Sequence, residues 1–308
     1  MAGKVVVFGS FVVDLMARIP HLPVPGETVK GPMFKMGPGG KGFNQCVAAH
    51  KAGADVTMIT KIGKDSFADV ALNTMDELGM TKDHVFVTEE AGTGIALILV
   101  DENTSQNEIA IVSGACGMIT EEDTDSVREL IRGSEYILLQ LEVNQDANER
   151  IADFAYRNGV KVIINTAPYS EISDDFLSKA YMVTPNEVEA EALTGVKVED
   201  LESAKKAAAI FKEKGVQKVL ITLGGKGVFI SSDGREDIIP AFRVNAVDTT
   251  GAGDAFNGGF LTALAEGKDE WEAARFANAL AALSVQKLGT TPSMPTREEI
   301  DAFLKSQT

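Results

Sequence analysis

With 308 residues, of which 44% are hydrophobic, the chain is long enough for one large α/β domain or two smaller ones. A formal net charge of −16 argues against a nucleic-acid partner or an anionic membrane, but not against a phosphorylated ligand held by backbone amides. No apolar run approaches the ~20 residues of a membrane-spanning helix, Met1–Lys4 has no signal-peptide layout, and Cys46, Cys116 and three histidines form no disulfide framework or metal spacing. A soluble, cytoplasmic protein is expected.

Lys4–Gly9 reads as a buried strand, and Asp14 follows it, where the strand's carboxyl end would face a cleft. His21–Pro25 is extended, and Thr28–Met36 carries a weak, exposed strand pattern. Gly37-Pro38-Gly39-Gly40-Lys41-Gly42-Phe43-Asn44 is a glycine loop opening a helix that runs to about Gly53. It is not a Walker phosphate loop, because no Lys-Ser/Thr follows at the required spacing. Val56–Gly63 predicts a strand and Ser66–Leu78 a helix closed by Gly79. Ile95–Val100 and Glu108–Val112 predict a hairpin around the polar turn Asp101–Asn107.

Helices and strands then alternate. Helices are expected over Glu121–Ile131, Asn144–Asn158, Glu187–Leu193 and Leu201–Lys214. Strands are expected over Tyr136–Leu141, Lys161–Asn165, Tyr181–Thr184 and Lys218–Leu223. Val228–Ser231 pairs with a strand near Ile238, and helices start at Ala252, Glu270 and Arg297. Repeated β-then-α units with apolar strands predict an α/β fold: a doubly wound, mostly parallel sheet flanked by helices. The strands within about 15–36 and 94–113 break the alternation. They predict a small β-sheet lid on a single domain spanning 1–308.

In an open parallel sheet, ligands bind at the carboxyl ends of the strands. Asp14, Glu142, Asn165, Asn186, Glu189, Thr222 and Gly224-Gly225-Lys226-Gly227 all follow predicted strands. Each alone reads as a cap or a turn; gathered on one edge, they point to a site. Asp14, Asn44 and Glu142 suit a ligand with several hydroxyls. Asn186, Thr222 and Gly225–Gly227 suit the phosphates and ribose of a nucleotide.

The chain is organised around Asp248-Thr249-Thr250-Gly251-Ala252-Gly253-Asp254, which runs into Ala255-Phe256-Asn257-Gly258-Gly259-Phe260-Leu261. The small and apolar residues after the turn have helical spacing, so a helix starts near Ala252. Its first N–H groups and the positive end of its dipole form an anion site, and the glycines admit a ligand close to the backbone. Asp254 lies in that first turn, where the dipole favours a carboxylate. A carboxylate beside an anion site suits a kinase acting on an alcohol: amides hold the phosphoryl group and the base receives the hydroxyl proton.

Gly39-Gly40-Lys41-Gly42-x-Asn44 together with Asp248–Asp254 resembles the two signatures of the ribokinase-like (PfkB) carbohydrate kinases. Thr184-Pro185-Asn186-Glu187-x-Glu189 is similar to that family's Asn-x-x-Glu motif. Ala241-Phe242-Arg243-Val244-x-Ala246-Val247-Asp248-Thr249 and Lys287-x-Gly289-x-x-Pro292-Ser293-x-Pro295 resemble the family's ribokinase branch. The likeness covers essentially the whole chain.

The resemblance implies ATP-dependent phosphorylation of a pentose 5-hydroxyl, on D-ribose, 2-deoxy-D-ribose or both. It implies Asp254 as general base and the Gly251, Ala252 and Gly253 amides as anion hole. Asp14, Gly40, Lys41, Asn44 and Glu142 would hold the sugar. Asn186, Thr222, Gly224, Gly225, Gly227, Gly253 and Asn278 would contact ATP, with Glu189 placing the Mg²⁺-bound phosphates through water. An activating K⁺ would lie among Asp248, Thr250, Ser284, Lys287, Gly289 and Ser293, partly on backbone oxygens. The flap would act as a lid and as the interface of a homodimer. Ribokinases usually carry Asn where this chain has Val12. Val12-Val13-Asp14-Leu15, Met58–Gly63 and Leu139–Val143 are closer to the deoxyribokinases. The rival readings are a ketohexose or nucleoside kinase, and a non-catalytic sugar-binding regulator on the same fold.

Overall fold

The computed structural model describes residues 3–104 and 106–307, so Met1 and Ala2 of the expected N-terminal lead and Ser105 of the expected turn lie outside the described residues. In chain order the strands are β1 (Val5–Phe8), β2 (Val12–Ile19), β3 (Met33–Gly39), β4 (Val56–Gly63), β5 (Val85–Thr88), β6 (Gly94–Asp101) and β7 (Asn107–Val112). They continue with β8 (Tyr136–Leu139), β9 (Lys161–Ile164), β10 (Ala180–Val183), β11 (Lys218–Thr222), β12 (Val228–Ser232) and β13 (Arg235–Ile239). Among the described residues, nine of them form one sheet in the order β13-β12-β11-β10-β9-β8-β1-β4-β5. All pairs from β11 to β5 are parallel; β12 and β13 close one edge as an antiparallel hairpin.

The short apolar strands are buried on both faces, as a parallel sheet between helices requires. Val5 and Val7 point into one core, with the helices Lys41–Lys51, Ala252–Ala265 and Glu270–Ser284. Val6 and Phe8 point into the other, with Gln145–Arg157 and Leu201–Glu213. The sheet is therefore doubly wound, as the alternation predicts.

The remaining strands form a separate sheet, β3-β2-β6-β7. Here the structure corrects two sequence readings. Asp14 does not end the first strand; it is the third residue of β2. The exposed strand expected over Thr28–Met36 instead spans Met33–Gly39, so the first three residues of the glycine loop are themselves strand. Pro38 is tolerated there because β3 is an edge strand. The helix expected over Glu121–Ile131 divides at Val127 into Glu121–Ser126 and Arg128–Arg132. Among the described residues, no helix is long and apolar enough to cross a membrane.

The helix Ala252–Ala265 is buried at every position from Asp254 onward, which explains why its sequence lacks a polar face. A Cβ at Gly258 would lie 2.5 Å from the Gln45 carbonyl oxygen and 2.5 Å from Ala48 Cβ. The missing side chain thus lets this helix cross Lys41–Lys51 at close range, which brings the two glycine motifs together.

Candidate active site

The carboxyl ends of five adjacent parallel strands line one edge. Along β11, β10, β9, β8 and β1 they present Thr222, Asn186, Asn165, Glu142 and Ser10. Above this edge lie the N-termini of the helices Lys41–Lys51 and Ala252–Ala265.

Gly251 caps the second of these helices in a left-handed conformation with φ 76°, which suits a residue without Cβ. The Ala252 N–H turns back to Thr249 O at 3.2 Å, whereas those of Gly253 and Asp254 meet no acceptor among the described residues. Nothing lies within 4 Å of where a Gly253 side chain would be, so a ligand can reach this backbone. The first turn thus offers two free donors with open space in front, the arrangement that an anion requires.

Asp254 is buried, yet its carboxylate is held from both sides. Asn44 Nδ2 donates to Oδ2 at 3.1 Å and Gln45 Nε2 donates to Oδ1 at 2.9 Å. Asn44 is itself fixed by Thr291, whose hydroxyl donates to Asn44 Oδ1 at 3.0 Å. Beside this pair, Glu142 Oε2 accepts from the Lys41 N–H at 2.8 Å and from the Ser10 hydroxyl. Gly42 packs onto the turn after β1, because a Cβ there would lie 2.7 Å from Ser10 N.

Three carboxylates thus crowd one cleft. Burial, then the charges of Glu142 and Asp254, push Asp14 up to about 7. Burial also raises Glu142, against the pull of Lys41. For Lys41, burial alone would lower the ammonium, but Asp254, Glu142 and Glu189 hold it above its ordinary value.

A cavity of about 190 Å³ is lined by Lys41, Asn165, Asn186, Glu189, Gly251, Gly253 and Asp254. It shares Asn186, Thr222, Thr249, Ala252 and Gly253 with a larger cleft of about 820 Å³. The larger cleft also takes in Gly224, Gly225, Gly227, Phe242 and Asn278. The small cavity adjoins the carboxylates; the large one is mostly apolar and suits a flat ring. Asn186 and Glu189 form a capping box, with Glu189 accepting from Asn186 N at 2.9 Å. They are therefore cap residues and cavity residues at once.

Asp248 accepts from Thr250 N and Gly289 N, each at 2.9 Å. The Ser293 hydroxyl donates to Thr290 O, next to Gly289. Ser284 and Lys287 are not brought in by their side chains: Ser284 donates to Ala281 O, and Lys287 pairs with Glu299. The Ser284 backbone oxygen accepts from Lys287 N at 3.1 Å. Val12 is buried but belongs to neither core, and it shares the cleft-facing side of β2 with Asp14.

Sequence reasoning passed over Gln45, Thr184 and Asn257 as site residues. All three are buried polar groups, and a glutamine beside the buried Cys46, Val47, Ala48 and Ala49 of its helix was the available signal.

A family model described as pfkB family carbohydrate kinase matches residues 2–297. A ribokinase of Haemophilus influenzae is 44% identical over 305 residues, covering 99% of both chains. A deoxyribokinase of Salmonella typhi is 38% identical over 301 residues, covering 97% of this chain and 98% of the relative. The solved structure of an Arabidopsis thaliana ribokinase complexed with ribose and ATP matches with a TM-score of 0.91 at 32% identity, covering 99% of both chains.

Proposed function

This chain belongs to the pfkB family of carbohydrate kinases, and from that premise we propose that it transfers the γ-phosphoryl group of ATP to the 5-hydroxyl of a pentose, D-ribose or 2-deoxy-D-ribose. The observation that carries this reading is Asp254 itself: a buried carboxylate clamped by Asn44 and Gln45, in the same helical turn as two unspent backbone N–H groups, its own and that of Gly253.

The sugar lies between Asp14, Asn44 and Glu142, with the Gly40–Lys41 backbone beneath it, and its 5-hydroxyl faces Asp254. ATP occupies the large cleft, its base near Asn278 and its ribose and phosphates along Gly225–Gly227, Thr222 and Asn186. As the sugar oxygen bonds to the γ-phosphorus, the bond from that phosphorus to the bridging oxygen breaks and ADP leaves. The hydroxyl proton passes to Asp254. The Gly253 and Asp254 N–H groups face the charge on the moving phosphoryl oxygens and are already fixed by the helix, so they need no reorganisation.

An ATP-using kinase of this family implies Mg²⁺ with the nucleotide. Glu189 is buried but lines the cavity, where its carboxylate suits contact with a hydrated ion, and such an ion would supply positive charge to the phosphates. For K⁺ the donor set fits: the Asp248 carboxylate with neighbouring backbone carbonyls, and Thr250, Ser284, Lys287, Gly289 and Ser293 around the same loop. The exposed apolar residues Met33, Phe34, Met36, Ile109 and Ile111 on the small sheet support a lid that also pairs two copies of the chain. A cytoplasmic location, where ATP is supplied, fits this reading.

A coupled ADP-release assay over a panel of pentoses, hexoses and nucleosides tests the proposal. ADP release that depends on ribose or deoxyribose and exceeds that with any hexose or nucleoside is expected. Release with none of the sugars would overturn it.

A further inference from the structure

The Asp254 carboxylate and the peptide that carries its N–H are joined by hydrogen bonds that the proposed reaction does not itself use. Gln45 Nε2 donates to Asp254 Oδ1 and to Asn165 Oδ1, both at 2.9 Å. Asn165 Nδ2 donates to Thr184 O at 2.9 Å. The Thr184 hydroxyl donates to Asn257 Oδ1 at 2.7 Å, and Asn257 Nδ2 donates to Gly253 O at 2.8 Å. Gly253 O belongs to the peptide whose N–H is that of Asp254, so the chain of bonds returns to its starting residue.

Every amide orientation in this ring is forced. An ionised carboxylate can only accept, so Gln45 must turn its nitrogen toward Asp254. Its two N–H groups are thereby spent on Asp254 and Asn165, and its oxygen accepts from Gln140 Nε2 at 2.7 Å. Gln45, Asn165, Thr184 and Asn257 are all at most 6% exposed, so these bonds are largely shielded from bulk water. The four come from the helix Lys41–Lys51, the ends of β9 and β10, and the helix Ala252–Ala265.

We propose that Gln45, Asn165, Thr184 and Asn257 are positioning residues that fix the base and one anion-hole donor as a single unit. One arm sets the carboxylate rotamer through Gln45. The other draws on the Gly253 carbonyl through Asn257, which polarises that peptide and strengthens the Asp254 N–H as a donor to the phosphoryl oxygens. Gln45 lines neither cavity, and Asn257 borders the small cavity but not the larger cleft. Their loss should therefore appear in kcat and its pH dependence rather than in nucleotide binding. This rests on the kinase reading above; an inactive parent enzyme would sink that reading, whereas an active parent with unaffected variants would sink only this one.

The test compares the parent with Gln45→Met, which keeps the length and removes both donors, and Gln45→Glu, which adds a charge beside Asp254. Steady-state kinetics are measured from acid to alkaline pH with the sugar and ATP varied, alongside thermal melting. For Gln45→Met, kcat should fall by roughly 10–10² with the KM for ATP within about twofold. The acid limb of the kcat–pH profile should move to higher pH, and further in Gln45→Glu, because an anion that loses a donor and gains a like-charged neighbour holds a proton more tightly. Thr184→Val, which keeps the side-chain shape and removes the hydroxyl, is measured in parallel for the second arm. It should lose severalfold in kcat with the KM values unmoved. A folded Gln45→Met with parental kcat and an unshifted acid limb would overturn the proposal. If Gln45→Met does not fold, a Thr184→Val variant at full parental kcat would overturn it instead.

Discussion

Asn44 and Asp254, 210 positions apart in the chain, meet in the interior: the Asn44 amide donates to the Asp254 carboxylate at 3.1 Å. Each belongs to one of the two glycine motifs, and the contact exists because two helices cross without a side chain between them. Gly258 supplies that space.

Gly258→Ala should therefore harm both stability and turnover. The added methyl would meet backbone atoms of Gln45 and Ala49, which cannot swing aside. A loss of about 1–3 kcal/mol is expected from such overpacking, and kcat should drop as the helices separate at Asp254. Urea unfolding together with steady-state kinetics checks it; a variant matching the parent in both would show that the crossing has slack.

Monovalent cations give a second expectation. Asp248 is held by the Thr250 and Gly289 N–H groups on the loop that packs against Gly251: a Gly251 Cβ would lie 3.2 Å from Thr290 Cγ2. An ion at Asp248 would fix the anion-hole turn without touching substrate. Activity should rise severalfold in K⁺ over Na⁺ at constant ionic strength, and Asp248→Ala should abolish the difference. Equal rates in the two salts would remove K⁺ from the account.

Most of the fold was legible because parallel strands and amphipathic helices write different periods into the sequence. The small sheet was harder to read. In sequence Asp14 simply follows β1, and only tertiary pairing of Val12–Asp14 with Gly37–Gly39 and Gly94–Ala96 makes it part of β2. β5 escaped notice because its four residues, Val85–Thr88, are too short for a period. In the site, glycine turns and carboxylates stood out by type. Gln45 and Asn257 did not, since a neutral amide inside a helix looks like any polar residue until its partners are known.

The sugar preference should rest on Val12. It is buried, lies beside Asp14 on β2 and sits over Gly94, whose Cβ would come within 2.9 Å of Val12 Cγ1. Valine cannot bond a hydroxyl, and an apolar wall rejects an added hydroxyl by ~10² at most. We expect kcat/KM for 2-deoxyribose to equal or exceed that for ribose. Val12→Asn should move the ratio toward ribose by about tenfold, the equivalent of ~1.4 kcal/mol. A ratio unmoved by Asn would show that Val12 does not read the sugar.

Asp14 predicts a pH effect. In the fold its carboxyl keeps a proton up to about 7, against an ordinary value of 3.8. Its contribution therefore favours the folded chain below the lower value and is lost as pH rises to about 7. The stability gained by Asp14→Asn should be larger at pH 8 than at pH 4, by thermal melting. In the parent, the KM for sugar should rise as pH falls through about 7, since a protonated Asp14 no longer accepts two hydroxyl bonds. A KM that stays flat across this range would contradict the burial and charge crowding assigned to Asp14.

The central claim is that Asp254 takes the proton of the sugar hydroxyl. Asp254→Asn keeps the shape and one of the two amide contacts, with Asn44 or with Gln45, but cannot act as base. With sugar binding measured directly by calorimetry and turnover by ADP release, kcat should fall by roughly 10²–10⁴ while the sugar Kd changes little. A variant that keeps a tenth or more of parental kcat would show that Asp254 is not the base.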